Sequence, residues 1–199
     1  MNASDWYREF RMRFNPKIDR SVKAMYIPRS ISTPRWTELF RNFLESMARD
    51  LDFSVNLEES FFGNTRFDMK WDGEESGSNI FIEYENDHKG VERGELRKLA
   101  NVAGDLRILI TYIPAALFPG ERLANKILTI LEGKARRGFG SEFLLLLGEW
   151  YMKMATDWVA WRFYPTFQKE PLILPYLSNS AGVRASFARV KWGHKEHFT

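Results

Sequence analysis

The chain has 199 residues, of which 44% are hydrophobic and 28% charged, a globular composition that excludes a disordered chain. It has no cysteine and three histidines, which excludes a disulfide scaffold and Cys-ligated metals and leaves oxygen ligands for any metal. The formal charge of +3 divides into +5 over residues 1–49, −9 over 50–96 and +7 over 97–199. No apolar run approaches the ~20 residues that span a bilayer, so we expect a soluble, cytoplasmic protein with no membrane partner.

The N-terminal third is predicted to combine a basic arm with a long helix. The arm covers residues 1–33, and within it residues 5–14 are expected to form a short helix. Pro34 suits the first position of a helix and Thr33 suits the N-cap before it. Apolar residues then recur at helical spacing over 34–50 and predict a helix there.

Three strands are predicted next, because apolar and polar residues alternate over 52–57, 65–71 and 80–85. The connections between them are short and polar, so the three strands are expected to form an antiparallel meander. Side chains at every second position of such strands point to the same face of the sheet.

An amphipathic helix over 91–103, with Gly104 as its C-cap residue, is predicted to lead into an apolar strand over 106–112. A helical crossover between two strands of one sheet makes them parallel. The predicted fold class is therefore α/β, with a mixed central sheet flanked by helices in a core domain over 34–165.

The C-terminal part is predicted to add a helix over 121–137 and two strands, over 142–152 and 157–164. Residues 166–199 are expected to form an extension that packs on the core.

Three acidic residues fall on neighbouring predicted strands: Asp68 on the second, and Glu83 and Glu85 on one face of the third. Carboxylates on one face of a buried strand repel each other and resist burial, and a cation relieves both costs. Mg²⁺ suits such a site because it takes one or two carboxylates and carries a substrate phosphate. The alternative is a half-exposed strand whose polar face is solvated.

The motif over 66–85 resembles the PD-(D/E)xK nuclease superfamily, which has the restriction-endonuclease-like fold. That family's core has the order helix, three-stranded meander, helix, strand, and the resemblance covers about residues 34–113. Asp68 matches the family's first acid and Glu83 its second. Glu85 stands where the family usually has lysine, which resembles the minority Glu-x-Glu variant.

The resemblance implies a metal-dependent endonuclease, of restriction or repair type, that hydrolyses DNA phosphodiester bonds. It implies that Asp68 and Glu83 bind Mg²⁺ or Mn²⁺, and that Glu85 is a second ligand or a base acting on the attacking water. The missing lysine would be replaced by Lys70, on the face of Asp68, or by Lys98, on the following helix. The alternative is an inactive nuclease-fold protein that binds nucleic acid or a protein partner.

Two basic regions are expected to contact the nucleic acid partner, which the resemblance implies is DNA, through its phosphates and bases. They comprise a helix end and the tail: Lys134, Arg136 and Arg137, and Arg184, Arg189 and Lys191. The first region would otherwise stabilise a helix C-terminus, and the second would otherwise protect an edge strand. A homodimer would suit cleavage of both strands.

Overall fold

The computed structural model of the chain describes thirteen stretches of it. They are residues 1–15, 22, 25, 33–57, 60–61, 65–86, 91, 94–117, 120–135, 142–151, 154–164, 185–191 and 194–196. The described residues form an α/β fold in which helices cover a mixed sheet.

The helices whose bounds the structure gives are α1 (Ala3–Arg13), α2 (Thr33–Asp50), α3 (Glu95–Asn101), the 3-10 turn Ala115–Leu117 and α4 (Glu121–Ala135). The strands are β1 (Phe53–Leu57), β2 (Ser60–Phe61), β3 (Thr65–Arg66), β4 (Met69–Gly73), β5 (Asn79–Glu85), β6 (Leu106–Pro114), β7 (Glu142–Tyr151), β8 (Met154–Tyr164), β9 (Ala185–Lys191) and β10 (His194–Glu196). None of the helices in this part of the chain is long and apolar enough to cross a membrane.

The main sheet has eight strands in the order β1-β4-β5-β6-β7-β8-β9-β10, and β2 and β3 form a separate two-stranded ribbon. Strands β1, β4 and β5 are antiparallel neighbours, which confirms the predicted meander. Strand β6 is parallel to β5, as the helical crossover through α3 requires, and β7 is parallel to β6. The prediction of a mixed α/β sheet is therefore confirmed.

Two predicted elements differ from the structure. The second strand is divided into β3 and β4, and Phe67 and Asp68 lie between them. Helix α3 begins at Glu95 and ends at Asn101, because Val102 is already extended, with φ −93° and ψ 140°. Gly104 is therefore not its cap. Instead the chain at Gly104 passes so close to Phe81 that a Cβ there would lie 2.6 Å from the ring.

Helices α1 and α2 cover one face of the sheet with a cluster of aromatic side chains. Phe10 contacts Trp158 of β8, with ring centres 5.1 Å apart, and Phe43 of α2, with ring centres 5.7 Å apart. Trp6 on the same helix and Phe14, its C-cap residue, are also buried. The short helix predicted near the N-terminus is thus confirmed. It lies in the main core, which its basic residues did not indicate.

Helices α3 and α4 cover the opposite face with aliphatic side chains. Leu96, Leu99 and Ile127 pack there with Phe81 of β5 and Leu109 of β6. The candidate acidic residues of β5 belong to this second face, because they alternate with Ile82 on the first face.

A partly buried ion pair fixes the start of α1 against the sheet. Arg162, 3% exposed on β8, pairs with Glu142 of β7 and donates a 2.6 Å hydrogen bond from Nη1 to Ser4 Oγ. Glu142 Oε2 also accepts a 2.7 Å hydrogen bond from the backbone N–H of Ala3. One carboxylate therefore joins two strands and a helix N-terminus.

Glu142→Gln is expected to lower the free energy of unfolding by about 3 kcal/mol, because it leaves the Arg162 cation buried without its counter-ion. Urea unfolding at pH 7 measures this loss. The matched control is Glu38→Gln, which removes an exposed carboxylate 2.7 Å from Arg35 and should hardly move the midpoint. Equal losses in the two variants would contradict the role given to Glu142.

Candidate active site

Asp68 lies at the break between β3 and β4, and its carboxylate is attached to the neighbouring strand. Its Oδ2 accepts a 2.9 Å hydrogen bond from the backbone N–H of Tyr84. The last pair of the β4–β5 ladder is Met69 with Ile82, so this N–H lies beyond the ladder and the side chain satisfies it. The break in the predicted strand therefore positions the Asp68 carboxyl group beside Glu83, within hydrogen-bonding reach of it.

Glu83 is 0% exposed on β5, between β4 and β6. Its Oε1 accepts a 3.0 Å hydrogen bond from Lys98 Nζ. Its Oε2 is also buried and receives no hydrogen bond from an N–H or hydroxyl group within the described stretches. A buried carboxylate oxygen without a donor is costly, so this atom is suited to a proton or a cation.

Burial raises the proton affinity of both carboxyl groups. Burial raises the pKa of Glu83 to about 9, and the nearby Asp68 carboxylate adds to this rise. Burial also raises the pKa of Asp68, against the opposing effect of the Tyr84 N–H. At neutral pH the pair therefore holds a proton, which a bound cation would displace.

Lys98 reaches this pair from α3, and its side chain is 29% exposed. Its Nζ lies 3.0 Å from Glu83 Oε1 and 3.8 Å from Glu95 Oε1. Burial lowers the pKa of Lys98, but the hydrogen bond and charge of Glu83, together with the charges of Asp68 and Glu95, outweigh burial and leave that pKa above its ordinary value. The ammonium is therefore charged, and it lies between the buried acids and solvent.

Lys70, the other candidate amine, is directed to a different partner. Its Nζ lies 2.7 Å from Asp72 Oδ1 and 5.9 Å from the ring centre of Phe81. Asp72 pairs with Asn79, at the opposite end of the β4–β5 ladder from Asp68. The structure thus brings Lys98 to Glu83, whereas the ion pair it shows for Lys70 is with Asp72.

Glu85 lies two residues beyond Glu83, and its charge contributes to the raised pKa of Asp68. Its backbone carbonyl accepts a 2.7 Å hydrogen bond from Thr111 Oγ1. Within the described residues, however, no three His, Asp or Glu side chains form a group that could hold a metal. The geometry therefore joins Asp68 with Glu83, and a role for Glu85 as ligand or base stays a prediction.

The side chains of the candidate nucleic-acid contacts lie outside the described residues. Arg136, Arg137 and Arg184 lie outside the described residues. Lys134 belongs to α4, and Arg189 and Lys191 belong to β9, but their side chains also lie outside the described part. Strand β9 is parallel to β8 and antiparallel to β10, so the tail extends the sheet.

Two residues near the site were not identified from the sequence. Glu95 contacts Lys98 at a spacing of three, which is a usable signal on a helix face. Arg107 is buried beneath α3, and its signal is a single charge inside the apolar run of β6.

Comparison with protein-family models, curated proteins and solved structures gives no match.

Proposed function

We propose that this protein is a metal-dependent nuclease that hydrolyses phosphodiester bonds in DNA. The observation that carries the proposal is the meeting of Asp68, Glu83 and Lys98. They are a partly buried carboxyl group from the break before β4, a fully buried one from β5 and an ammonium from α3. The order α2, β1, β4, β5, α3, β6 supports a restriction-endonuclease-like core, because it repeats that family's helix, meander, helix and strand.

The donor set fits a divalent cation with hard oxygen ligands. Asp68 and Glu83 would hold it, since they repel each other when ionised and Glu83 Oε2 has no donor within the described stretches. Mg²⁺ or Mn²⁺ bound there would lower the pKa of a water molecule and neutralise charge on the scissile phosphate.

The chain's own residues supply the remaining chemistry. Lys98 Nζ, at the exposed side of the pair, would donate a hydrogen bond to a non-bridging phosphate oxygen and stabilise its growing charge. Glu95, 3.8 Å from that ammonium, would keep it in place once Glu83 binds the metal. Glu85, partly exposed on the same strand face, would accept the proton of the attacking water on a carboxylate oxygen.

The inactive alternative was based on the absence of lysine two residues after Glu83. Lys98 supplies an ammonium to that same carboxylate from α3, which supports catalysis over binding alone.

Asp68→Asn is expected to weaken Mn²⁺ binding at least tenfold, because it replaces a carboxylate ligand with an amide. The amide oxygen still accepts the Tyr84 N–H, so the fold should persist. Calorimetric titration at pH 7.5 measures the affinity for Mn²⁺. In a parallel assay the unaltered protein should nick plasmid DNA with Mg²⁺, and EDTA should abolish this nicking.

The matched control is Asp72→Asn, which removes an acid of the same neighbourhood that pairs with Lys70. It should bind Mn²⁺ like the unaltered protein. Equal binding by both variants would place the metal elsewhere.

A further inference from the structure

Helix α3, which carries Lys98, has little stability of its own. It has seven residues, and its N-cap residue Gly94 makes no side-chain hydrogen bond to the first turn. Isolated helices of this length are marginal in water, so contacts with the sheet must fix it. Leu96, Leu99 and Ala100 supply buried apolar contacts, which resist separation from the sheet but are weakly directional.

A directional contact comes from Arg107, on β6 beneath the helix. Arg107 is 1% exposed, and its Nη1 donates a 3.3 Å hydrogen bond to the backbone carbonyl of Leu99, in the last turn of α3. Its guanidinium lies 5.8 Å from the ring centre of Phe143 on β7. A cation near a helix C-terminus stabilises the helix, and here that cation belongs to Arg107 on a central strand of the sheet.

The register connects this contact to the candidate site. Arg107 is paired with Phe81 on β5, two residues before Glu83 on the same face. Leu99 directly follows Lys98, so the carbonyl that Arg107 holds lies one residue from the amine-bearing residue. Burial of a full positive charge is costly, and burial lowers the pKa of Arg107 to about 10. A hydrophobic residue would fill this position at lower cost if packing were its only role.

We propose that Arg107 is a positioning residue, which holds the last turn of α3 on β6 and thereby fixes Lys98 beside Glu83. The inference rests on the proposed nuclease function. A displacement of about 1 Å at a group that stabilises the transition state lowers the rate by up to about 100-fold. Arg107 acts through Lys98 and does not touch substrate, so KM should change little.

The kinetic test compares Arg107→Met, Arg107→Lys and Arg162→Met in plasmid cleavage with Mg²⁺. Methionine removes the donor, and kcat should fall about 10- to 100-fold with KM unchanged. Lysine keeps a cation and a donor and should restore part of kcat. Arg162 is an equally buried arginine that serves α1, so its variant should keep kcat at a temperature where all three are folded.

A second readout does not depend on nuclease activity. Brief acetylation followed by mass spectrometry measures how well Glu83 protects the amine of Lys98. Arg107→Met should increase labelling of Lys98 several-fold, while the exposed Lys126 of α4 keeps its rate and Arg162→Met changes neither.

Unchanged Lys98 labelling in Arg107→Met, or unchanged kcat in an active protein, would overturn the positioning role. An equal fall of kcat in Arg162→Met would do the same. If the unaltered protein cleaves no DNA, the proposed function fails, and the labelling result still decides whether Arg107 fixes Lys98.

Discussion

Lys98→Met is expected to lower kcat for DNA cleavage by about 10³-fold, the scale for loss of one donor to a developing oxyanion. Lys98 is the amine that reaches the buried acids, with Nζ 3.0 Å from Glu83 Oε1. Methionine has a similar length and no charge, so it retains packing and removes the hydrogen bond and the charge. Single-turnover cleavage of a labelled duplex with saturating Mg²⁺ measures the effect on chemistry.

Two lysine variants make this prediction selective. Lys70→Met removes the other candidate amine, which pairs with Asp72, and kcat should stay within a few-fold of the unaltered value. Lys126→Met removes an exposed lysine of α4 and should have no effect. A larger loss in Lys70→Met than in Lys98→Met would assign the amine to β4.

Glu83→Gln is expected to stabilise the metal-free protein at alkaline pH while it abolishes metal binding. The pKa of Glu83 is about 9 in the folded protein, against an ordinary value of 4.5. Between these values the folded state keeps a proton that the unfolded chain releases. The free energy of unfolding therefore falls as pH rises, by about 1 kcal/mol per pH unit at most.

The charged groups that face Glu83 do not reverse this sign. The pKa of Asp68 is raised as well, mainly by burial, so it adds a loss of stability in the same direction. The raised pKa of Lys98 favours the folded state, and this stability is lost only above its ordinary value of 10.5, outside the window. Glu85 acts on Asp68 as a like charge, which also destabilises the site at high pH.

Urea unfolding in EDTA at pH 5, 7 and 9 tests the prediction. The unaltered protein and Glu83→Gln should have similar free energies of unfolding at pH 5. At pH 9 Glu83→Gln should be the more stable of the two, because glutamine does not ionise. Glu74→Gln, in the exposed turn after β4, is the control for loss of a solvated charge. Parallel pH curves for Glu83→Gln and the unaltered protein would contradict the raised pKa.

Bound Mg²⁺ should have the opposite effect and stabilise the unaltered protein relative to Glu83→Gln. Saturating Mg²⁺ should raise the unfolding midpoint of the unaltered protein, because a ligand that binds only the folded state stabilises it. It should leave the midpoint of Glu83→Gln unchanged.

The acidic pair was predictable from the sequence because strand alternation and short connections between strands are both local patterns. Alternation along the predicted strands identified the faces of Asp68 and Glu83, and the meander made their strands neighbours. The break before Met69 was not predictable, since Phe67 to Trp71 continues a regular alternation. That break frees the Asp68 carboxylate to accept the Tyr84 N–H.

The choice between the two lysines depended on packing between layers. Spacing puts Lys70 on the face of Asp68, but the side chain pairs with Asp72. Lys98 reaches Glu83 because α3 lies across β5. The periodicity of a sequence does not indicate how a helix is oriented on a sheet. The burial of α1 was not predicted, since its arginines indicated a basic arm outside the core domain.

The most direct test is cleavage of supercoiled plasmid and single-stranded DNA by the purified protein, with Mg²⁺ or Mn²⁺ or with EDTA, beside Asp68→Asn and Asp72→Asn. We expect cleavage that requires the metal, persists in Asp72→Asn and falls at least 10³-fold in Asp68→Asn. Cleavage by Asp68→Asn at the rate of the unaltered protein, or no cleavage of either DNA with either metal, would contradict a nuclease centred on Asp68 and Glu83.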